Sequence, residues 1–186
     1  MAEKPKPPPA PPSLVGKHVY LRASTAKDAV NIHYWFLQSD PQAQCCSAMR
    51  LLTTSQAAEV AEQDLKATDR EKFTIVRKSD DLPVGQVAYF NYNALNRSAE
   101  LGLIMDPDER KQGLGREAMK LLIKYLFRFR DLNKVYAQTA EFNDAAIALL
   151  ESIGFEKDGT LRQHHFYDGE YHDQLIYSLL RFDMNW

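Results

Sequence analysis

The chain has few of the residues that several specialised classes of protein require. Its 186 residues include two cysteines, the neighbours Cys45 and Cys46, which cannot join distant segments by a disulfide and stand in no zinc-binding pattern. No run approaches the roughly 18 apolar residues of a membrane-spanning helix, and the first residues lack the apolar core of a signal peptide. We therefore expect a reduced, cytoplasmic protein that holds no metal and does not enter a membrane.

Neither sign of charge is in marked excess. Lysine and arginine total 23 against 25 aspartates and glutamates, for a net charge of -2. Such a balance provides no overall attraction to nucleic acid or anionic lipid, so we expect no nucleic-acid partner. Hydrophobic residues make up 45% of the chain and charged residues 26%, which is typical of a globular domain with a buried core.

Proline is concentrated at the start of the chain. Residues 1–13 hold six of the nine prolines and almost no residue that could be buried, which predicts a disordered tail of polyproline type. The length of the remainder, residues 14–186, fits one domain.

Strand-like and helix-like periods alternate after the tail. The pattern predicts a first helix that ends near Leu37 and is capped by Ser24 or Thr25. A turn at Asp168 and Gly169 separates the last two strands, and Gly154 is placed to end the last helix. The predicted strands are 18–22, 73–77, 84–92, 98–105 and 134–140, and the further helices are 54–68 and 143–153.

The clearest helix begins near Gly113. Its apolar residues recur at steps of three and four and predict one continuous buried stripe, formed by Leu114, Ala118, Leu121, Leu122, Tyr125, Leu126 and Phe129. The run of strand, helix, strand and helix over residues 98–153 predicts a partly parallel strand pair with a right-handed crossover. Short turns join the other strands, which predicts a mixed α/β sheet with helices on both faces.

A glycine-containing loop joins the strand that ends at Met105 to this helix. The start of a helix presents unpaired backbone N–H groups and the positive end of the helix dipole, an arrangement that binds phosphate. Gly113 and Gly115 have no side chain to keep a ligand from the backbone, and Arg110, Lys111 and Arg116 add positive charge. The motif RKQGLG matches neither the dinucleotide fingerprint nor the P-loop.

The motif and its surroundings resemble the GNAT superfamily of N-acetyltransferases. In that family the acetyl-CoA pyrophosphate loop follows the fourth strand and opens a long helix, and a fifth strand leads to a helix that starts with Asn and ends in Gly-Phe. The segments AELGLIM, RKQGLG, KVYAQTAEFN and LLESIGF supply these parts in order. The segments LVGKHVYLR and FYDGEYHDQLIYSLL look most like the branch of spermidine and ribosomal-protein alanine N-acetyltransferases.

The resemblance implies a mostly antiparallel sheet in which the parallel strands 4 and 5 splay apart to hold acetyl-CoA. The backbone of Leu103, Ile104 and Met105 would bind the pantetheine arm. The pyrophosphate would lie on the loop residues Arg110, Lys111, Gln112, Gly113, Leu114, Gly115 and Arg116. Asn143 matches the family's cofactor-binding asparagine, although asparagine is also among the best helix N-caps, and both interpretations stay open.

An amine must lose a proton before it can attack a thioester, so the reaction requires a base. Glu100 is our candidate, because it lies in the strand that leads to the loop and matches a position at which many family members carry glutamate. The competing interpretation is a solvent-facing carboxylate or an ion pair with an arginine. The family's tyrosine acid falls on Leu150 here, and Tyr136, Tyr167 or water remain open as the proton donor.

These assignments predict an acetyl-CoA-dependent N-acetyltransferase. Its acceptor would be a small primary amine, such as a polyamine, or a protein N-terminus. The alternative is a non-catalytic module that binds acyl-CoA and regulates a partner. The terminal hairpin could form the edge of a homodimer, which the sequence leaves undecided.

Overall fold

The computed structural model describes residue 11 and residues 14–38, 51–64 and 66–184. Seven strands and four α-helices lie in these residues. In chain order they are β1 (Val19–Ala23), α1 (Ala26–Gln38), α2 (Thr54–Asp64), β2 (Glu71–Arg77), β3 (Leu82–Asn93), β4 (Ser98–Met105), α3 (Leu114–Phe129), β5 (Lys134–Ala140), α4 (Asp144–Ile153), β6 (Glu156–Tyr167) and β7 (Glu170–Leu180). The predicted tail lies outside the described residues except for Pro11. No helix within them is both long and apolar enough to cross a membrane.

The strands form one sheet in the order β1-β2-β3-β4-β5-β7-β6. Every neighbouring pair is antiparallel except β4 and β5, which are parallel and connected through α3. A parallel pair needs a crossover connection of this kind, because a tight turn can only reverse the chain. The mixed, mostly antiparallel sheet with one parallel pair is therefore confirmed.

The two faces of the sheet are covered by different helices. On one face α3 and α4 pack over a continuous core that includes Leu122, Leu126, Leu101 and Leu150. Trp35 of α1 and Ala57 of α2 are buried outside that core, and α1 contacts β3 and β4. Helices therefore lie on both faces, as predicted.

The buried stripe of α3 differs from its prediction. The buried residues of this helix are Leu114, Ala118, Met119, Leu122, Ile123, Leu126 and Phe127. The next row around the helix consists of Leu121, Tyr125 and Phe129, and this row leads away from the core. Phe129, at its end, is 62% exposed and stacks on Tyr125. Placing Phe129 in the stripe was therefore wrong, because the buried stripe of α3 is centred about one residue further round the helix.

Two helix ends refine the sequence analysis. Thr25 rather than Ser24 caps α1, because its Oγ1 accepts a hydrogen bond from the Asp28 amide at 3.4 Å. Asp28 Oδ2 in turn accepts hydrogen bonds from the Thr25 amide at 2.8 Å and from its hydroxyl at 2.7 Å. Arg22 completes the arrangement with two hydrogen bonds to the same carboxylate, at 2.7 and 2.8 Å. Helix α2 ends at Asp64, short of the predicted Thr68.

Candidate active site

The centre of the sheet has a gap between β4 and β5. The two strands are paired only over Ser98–Lys134, Ala99–Val135 and Glu100–Tyr136, although β4 continues to Met105 and β5 to Ala140. On its other edge β4 stays paired with β3 as far as Met105. Backbone groups of Leu103, Ile104 and Met105 on the β5 side can therefore bind an extended molecule between the strands.

The loop after β4 lies between the end of this gap and α3. Gln112 Nε2 donates to Glu109 Oε2 at 3.0 Å, and Arg77 Nη1 donates to the same oxygen at 2.5 Å. Lys111 and Gly113 both have left-handed backbones, with φ of 61° and 80°. Such a loop, followed by the first turn of a helix whose amides have no intrahelical acceptor, is of a kind that can bind an anion.

The two glycines of the loop have different surroundings. A Cβ built on Gly113 would meet no atom within 4 Å, so this residue leaves the helix start open to a ligand. A Cβ on Gly115 would lie 3.1 Å from Leu103 Cδ2 and 3.2 Å from Met105 Sδ. Gly115 therefore allows α3 to pack closely on β4, and its predicted role in the approach of a ligand stays a prediction.

Two of the three predicted cations of the loop donate hydrogen bonds to backbone carbonyls. Arg116 Nη2 donates to Ser152 O at the end of α4, at 2.7 Å, and Arg110 Nη2 donates to Met105 O at 3.3 Å. A groove of about 580 Å³ runs from Gly113 and Arg116 along the outer face of α3. Its further basic residues are Lys17, His18, Lys120 and Lys124.

Glu100 lies where the gap begins, in the last residue pair that joins β4 to β5. It is 7% exposed, and its Oε2 accepts a hydrogen bond from Asn91 Nδ2 at 2.8 Å. Tyr136 and Gln138 of β5 also hydrogen-bond the carboxylate, and Gln174 of β7 donates to Gln138 Oε1 at 2.8 Å. Glu100 is thus not solvent-facing, and no arginine in the described part of the chain pairs with it, so the competing interpretation of its role was wrong.

Burial controls the electrostatics of this group. It raises the pKa of Glu100 above the usual range, while the hydrogen bonds from Asn91, Gln138 and Tyr136 oppose that rise. A carboxylate whose pKa lies nearer to neutrality is a stronger base. Burial, and then the charge of Glu100, also raise the pKa of Tyr136, so its phenol keeps its proton at neutral pH.

The sequence analysis missed Asn91, Gln138 and Gln174. Asn91 lies at a register shift in β3 and has a left-handed backbone, with φ of 52°. Asparagine is unusual inside a strand and is one of the few residues that tolerate this conformation. The pair of asparagines in the strand segment FNYN was therefore a signal of the bulge that turns Asn91 towards Glu100.

Asn143 is the N-cap of α4, where its side-chain oxygen accepts from the Ala146 amide at 3.2 Å. This establishes the capping role and leaves the cofactor contact as a prediction. Leu150 is 3% exposed in the core. The Ser152 hydroxyl donates to Leu149 O at 2.8 Å, so it is engaged within its own helix.

The remaining cysteines and histidines, and the acidic residues of α2, do not form a reactive centre in the described part of the chain. Cys45 and Cys46 lie outside it. His165 is buried against Phe142, whereas His164 is exposed. No group of three or more His, Cys, Asp or Glu within the described residues could hold a metal ion. In α2, Glu59 and Glu62 are exposed, and their negative charge is the one property that suits them to a cationic acceptor.

Comparison with known proteins identifies relatives of the chain. The family model described as acetyltransferase (GNAT) domain matches residues 18–156. An uncharacterized N-acetyltransferase, p20 of Bacillus licheniformis, is 29% identical over 91% of this chain and 96% of that protein. Spermidine N(1)-acetyltransferase of Vibrio cholerae is 30% identical over 55% of this chain and 60% of its own length. The putative ribosomal N-acetyltransferase YdaF of Bacillus subtilis is 33% identical over 52% and 53%. The resemblance to both groups is confirmed.

A solved structure has the same fold. Spermidine N-acetyltransferase from Vibrio cholerae, crystallised with CoA and spermine, superposes with a TM-score of 0.82 at 23% identity. The alignment covers 89% of this chain and 97% of that chain.

Proposed function

This chain belongs to the acetyltransferase (GNAT) domain family and is an acyltransferase, and from that premise we propose that it transfers the acetyl group of acetyl-CoA directly to a primary amine. Residues 14–186 act as one catalytic domain in this proposal. The acceptor is a small amine such as a polyamine, or the N-terminus of a protein. Relatives named for spermidine and for ribosomal proteins support both acceptor classes.

The observation that carries the proposal is the position of Glu100. A buried carboxylate with a raised pKa lies at the point where β4 and β5 separate, and the phosphate-type loop lies at the far end of the same gap. Glu100 takes a proton from the acceptor ammonium, directly or through one water. The neutral amine then attacks the carbonyl carbon of the thioester, so no acyl-enzyme is needed.

The gap and the loop suit the shape and charge of acetyl-CoA. An extended pantetheine arm fits along the β4 backbone at Leu103, Ile104 and Met105. The pyrophosphate suits the amides of Gly113 to Arg116, with Arg110 and Lys111 adding charge. In this proposal Asn143, the N-cap of α4, also contacts the arm. The basic groove on α3 adjoins this loop and suits a further phosphate.

The test compares Glu100→Gln with Glu156→Gln, a matched change at an exposed glutamate in β6. Calorimetry with acetyl-CoA measures binding, and release of free thiol measures turnover with spermidine, amino acids, aminoglycosides and peptides that begin with alanine or serine. We expect Glu100→Gln to bind acetyl-CoA normally and to lose about 100-fold or more in kcat. Glu156→Gln should behave as the wild type.

Each outcome separates the alternatives. Thiol release with one amine establishes the enzyme and names its acceptor class. Acetyl-CoA binding without release on any amine supports the non-catalytic module instead, and absence of binding overturns the proposal. Glu100→Gln should not lower the melting temperature, because it removes a buried charge whose desolvation is unfavourable. A melting temperature equal to that of the wild type would show that the lost activity does not come from unfolding.

A further inference from the structure

The proposed transfer needs a proton at the sulfur of CoA, and α4 supplies none. Leu150 is apolar and buried, and the hydroxyl of Ser152 is bonded to Leu149 O. A thiol has a pKa of roughly 8.5, so a thiolate leaving group requires a proton near neutral pH. The donor must lie at the gap between β4 and β5, since that gap is where the thioester would be held.

Tyr136 is the tyrosine at that position. It pairs with Glu100 in the last residue pair before β4 and β5 separate, and it hydrogen-bonds the Glu100 carboxylate. Asn91 also hydrogen-bonds the Tyr136 hydroxyl, and this hydrogen bond acts to lower the pKa of Tyr136, which favours the phenolate. Among the described residues, Glu100 is the charged group whose charge shifts the pKa of this phenol. The side chain is half-buried, so it is partly open to the gap.

Tyr167, the other tyrosine considered from the sequence, lies elsewhere. It is the last residue of β6 and pairs with Glu170 at the end of the terminal hairpin. The β5 strand ends earlier, at Ala140, which pairs with Gln174. The Tyr167 ring packs on Phe142, with ring centroids 5.0 Å apart. It is therefore a component of the aromatic cluster beyond the end of β5.

We propose that Tyr136 donates the proton to the departing CoA sulfur, and that Glu100 and Tyr136 work as one hydrogen-bonded proton-transfer pair. This inference rests on the acetyl transfer proposed above. It assigns to Tyr136 of β5 the role of proton donor, which the family resemblance gives to a tyrosine at the position of Leu150 in α4.

The protons and electrons balance over five proton transfers. Glu100 takes one proton from the ammonium, and the nitrogen lone pair forms the new C–N bond. The C–S bond breaks, its electron pair goes to sulfur, and the Tyr136 hydroxyl gives sulfur its proton. The Tyr136 phenolate, stabilised by Asn91, regains a proton from Glu100 through their hydrogen bond. Glu100 then accepts the second proton from nitrogen and releases it to solvent, which leaves the amide and CoA thiol.

The first test is Tyr136→Phe, with Tyr167→Phe as the matched control. We expect Tyr136→Phe to lower kcat by about 100-fold, the usual contribution of a general acid, with acetyl-CoA affinity unchanged. Tyr167→Phe should retain the wild-type kcat. Acetyl-CoA affinity and the melting temperature of both variants show that the site is folded. A Tyr136→Phe enzyme with more than half of the wild-type kcat would overturn the inference.

A second readout separates chemistry from positioning. A fluorinated tyrosine at position 136 keeps the hydroxyl and its hydrogen bonds but makes the phenol more acidic. If this phenol must be protonated for turnover, the basic limb of the kcat profile moves to lower pH by the change in phenol acidity. An unmoved basic limb refutes proton donation. Both tests are read against a wild-type enzyme that releases thiol, so a failure here leaves the proposed function standing. A wild type that does not bind acetyl-CoA fails on the function itself.

Discussion

Asn91 offers a direct test of how the protein sets the basicity of Glu100. Its Nδ2 donates to Glu100 Oε2 at 2.8 Å and so favours the ionised carboxylate against the desolvation that raises its pKa. Substitution by glycine removes the amide and keeps the left-handed backbone, with φ of 52°, free of steric strain. Asn91→Gly therefore changes the hydrogen bond while preserving the bulge of β3.

The expected magnitude follows from the strength of that bond. A hydrogen bond to a charged group contributes about 1.5 kcal/mol at the lower end of its range, and 1.36 kcal/mol corresponds to one pKa unit. Loss of the Asn91 amide favours the protonated carboxyl, so the pKa of Glu100 should rise by about one unit. The base is then protonated up to a higher pH, and activity is lost on the acidic side.

The assay is the pH profile of kcat/KM for wild type and variant. The acidic limb of Asn91→Gly should move up by about one unit, with tenfold lower activity on that limb. The plateau above the limb should also fall, because Asn91 hydrogen-bonds the Tyr136 hydroxyl as well. Asn93→Gly is the matched control, because Asn93 lies two residues along in the same strand and its Oδ1 accepts from the Asn96 amide at 2.8 Å. A profile that keeps its position and only loses height would refute the proposed control of basicity.

Two further changes test the packing and the helix cap. A Cβ on Gly85 would lie 2.6 Å from the Ile104 carbonyl oxygen, so Gly85→Ala should lower the free energy of unfolding by about 2 kcal/mol, as overpacking does. Gly159→Ala, where no atom lies within 4 Å, should be neutral or stabilising in the same urea titration. Asp28→Asn breaks a buried pair with Arg22 and should cost about 3 kcal/mol at neutral pH. Burial alone would raise the pKa of Asp28, but hydrogen bonds from Arg22 and Thr25 outweigh burial and lower that pKa. The stabilisation is therefore fully present above the pKa that Asp28 has in the unfolded chain, and it is lost as the pH falls through the lower pKa of the folded protein. Equal urea midpoints for the two glycine variants, or for Asp28→Asn and wild type at neutral pH, would contradict these expectations.

Local patterns predicted most of the fold because they report directly on local structure. Proline after Asp106 ends β4 at Met105, and β5 has the predicted bounds. Gly154 ends α4 with φ of 110°, as a left-handed cap requires. The error in α3 came from a different source, because several apolar rows lie around one helix and only tertiary packing decides which row is buried. Met119 and Phe127 are in the core, while Phe129 is exposed.

The same distinction between local pattern and tertiary packing applies to the candidate site. Strand alternation placed Glu100 on the face opposite Leu101, and the structure agrees, since Leu101 belongs to the core under α3. Its burial could not be predicted, because it depends on residues from three other strands. Asn91 reaches Glu100 only through a bulge in β3, and Tyr136 only through the parallel register of β5.

The parallel register also explains how a site can lack an acid on α4. Glu100 and Tyr136 are 36 residues apart in sequence and become neighbours because they form the last pair between β4 and β5. Where this pairing ends, the gap that a thioester would enter begins. In the proposed mechanism Glu100 and Tyr136 act on the reacting atoms from this point, and α4 contributes no group to the proton transfers. Leu150 is then free to serve the core, where its burial stabilises the packing of α4 against the sheet. Loss of the tyrosine from α4 is therefore compatible with catalysis, provided that Tyr136 retains its hydroxyl.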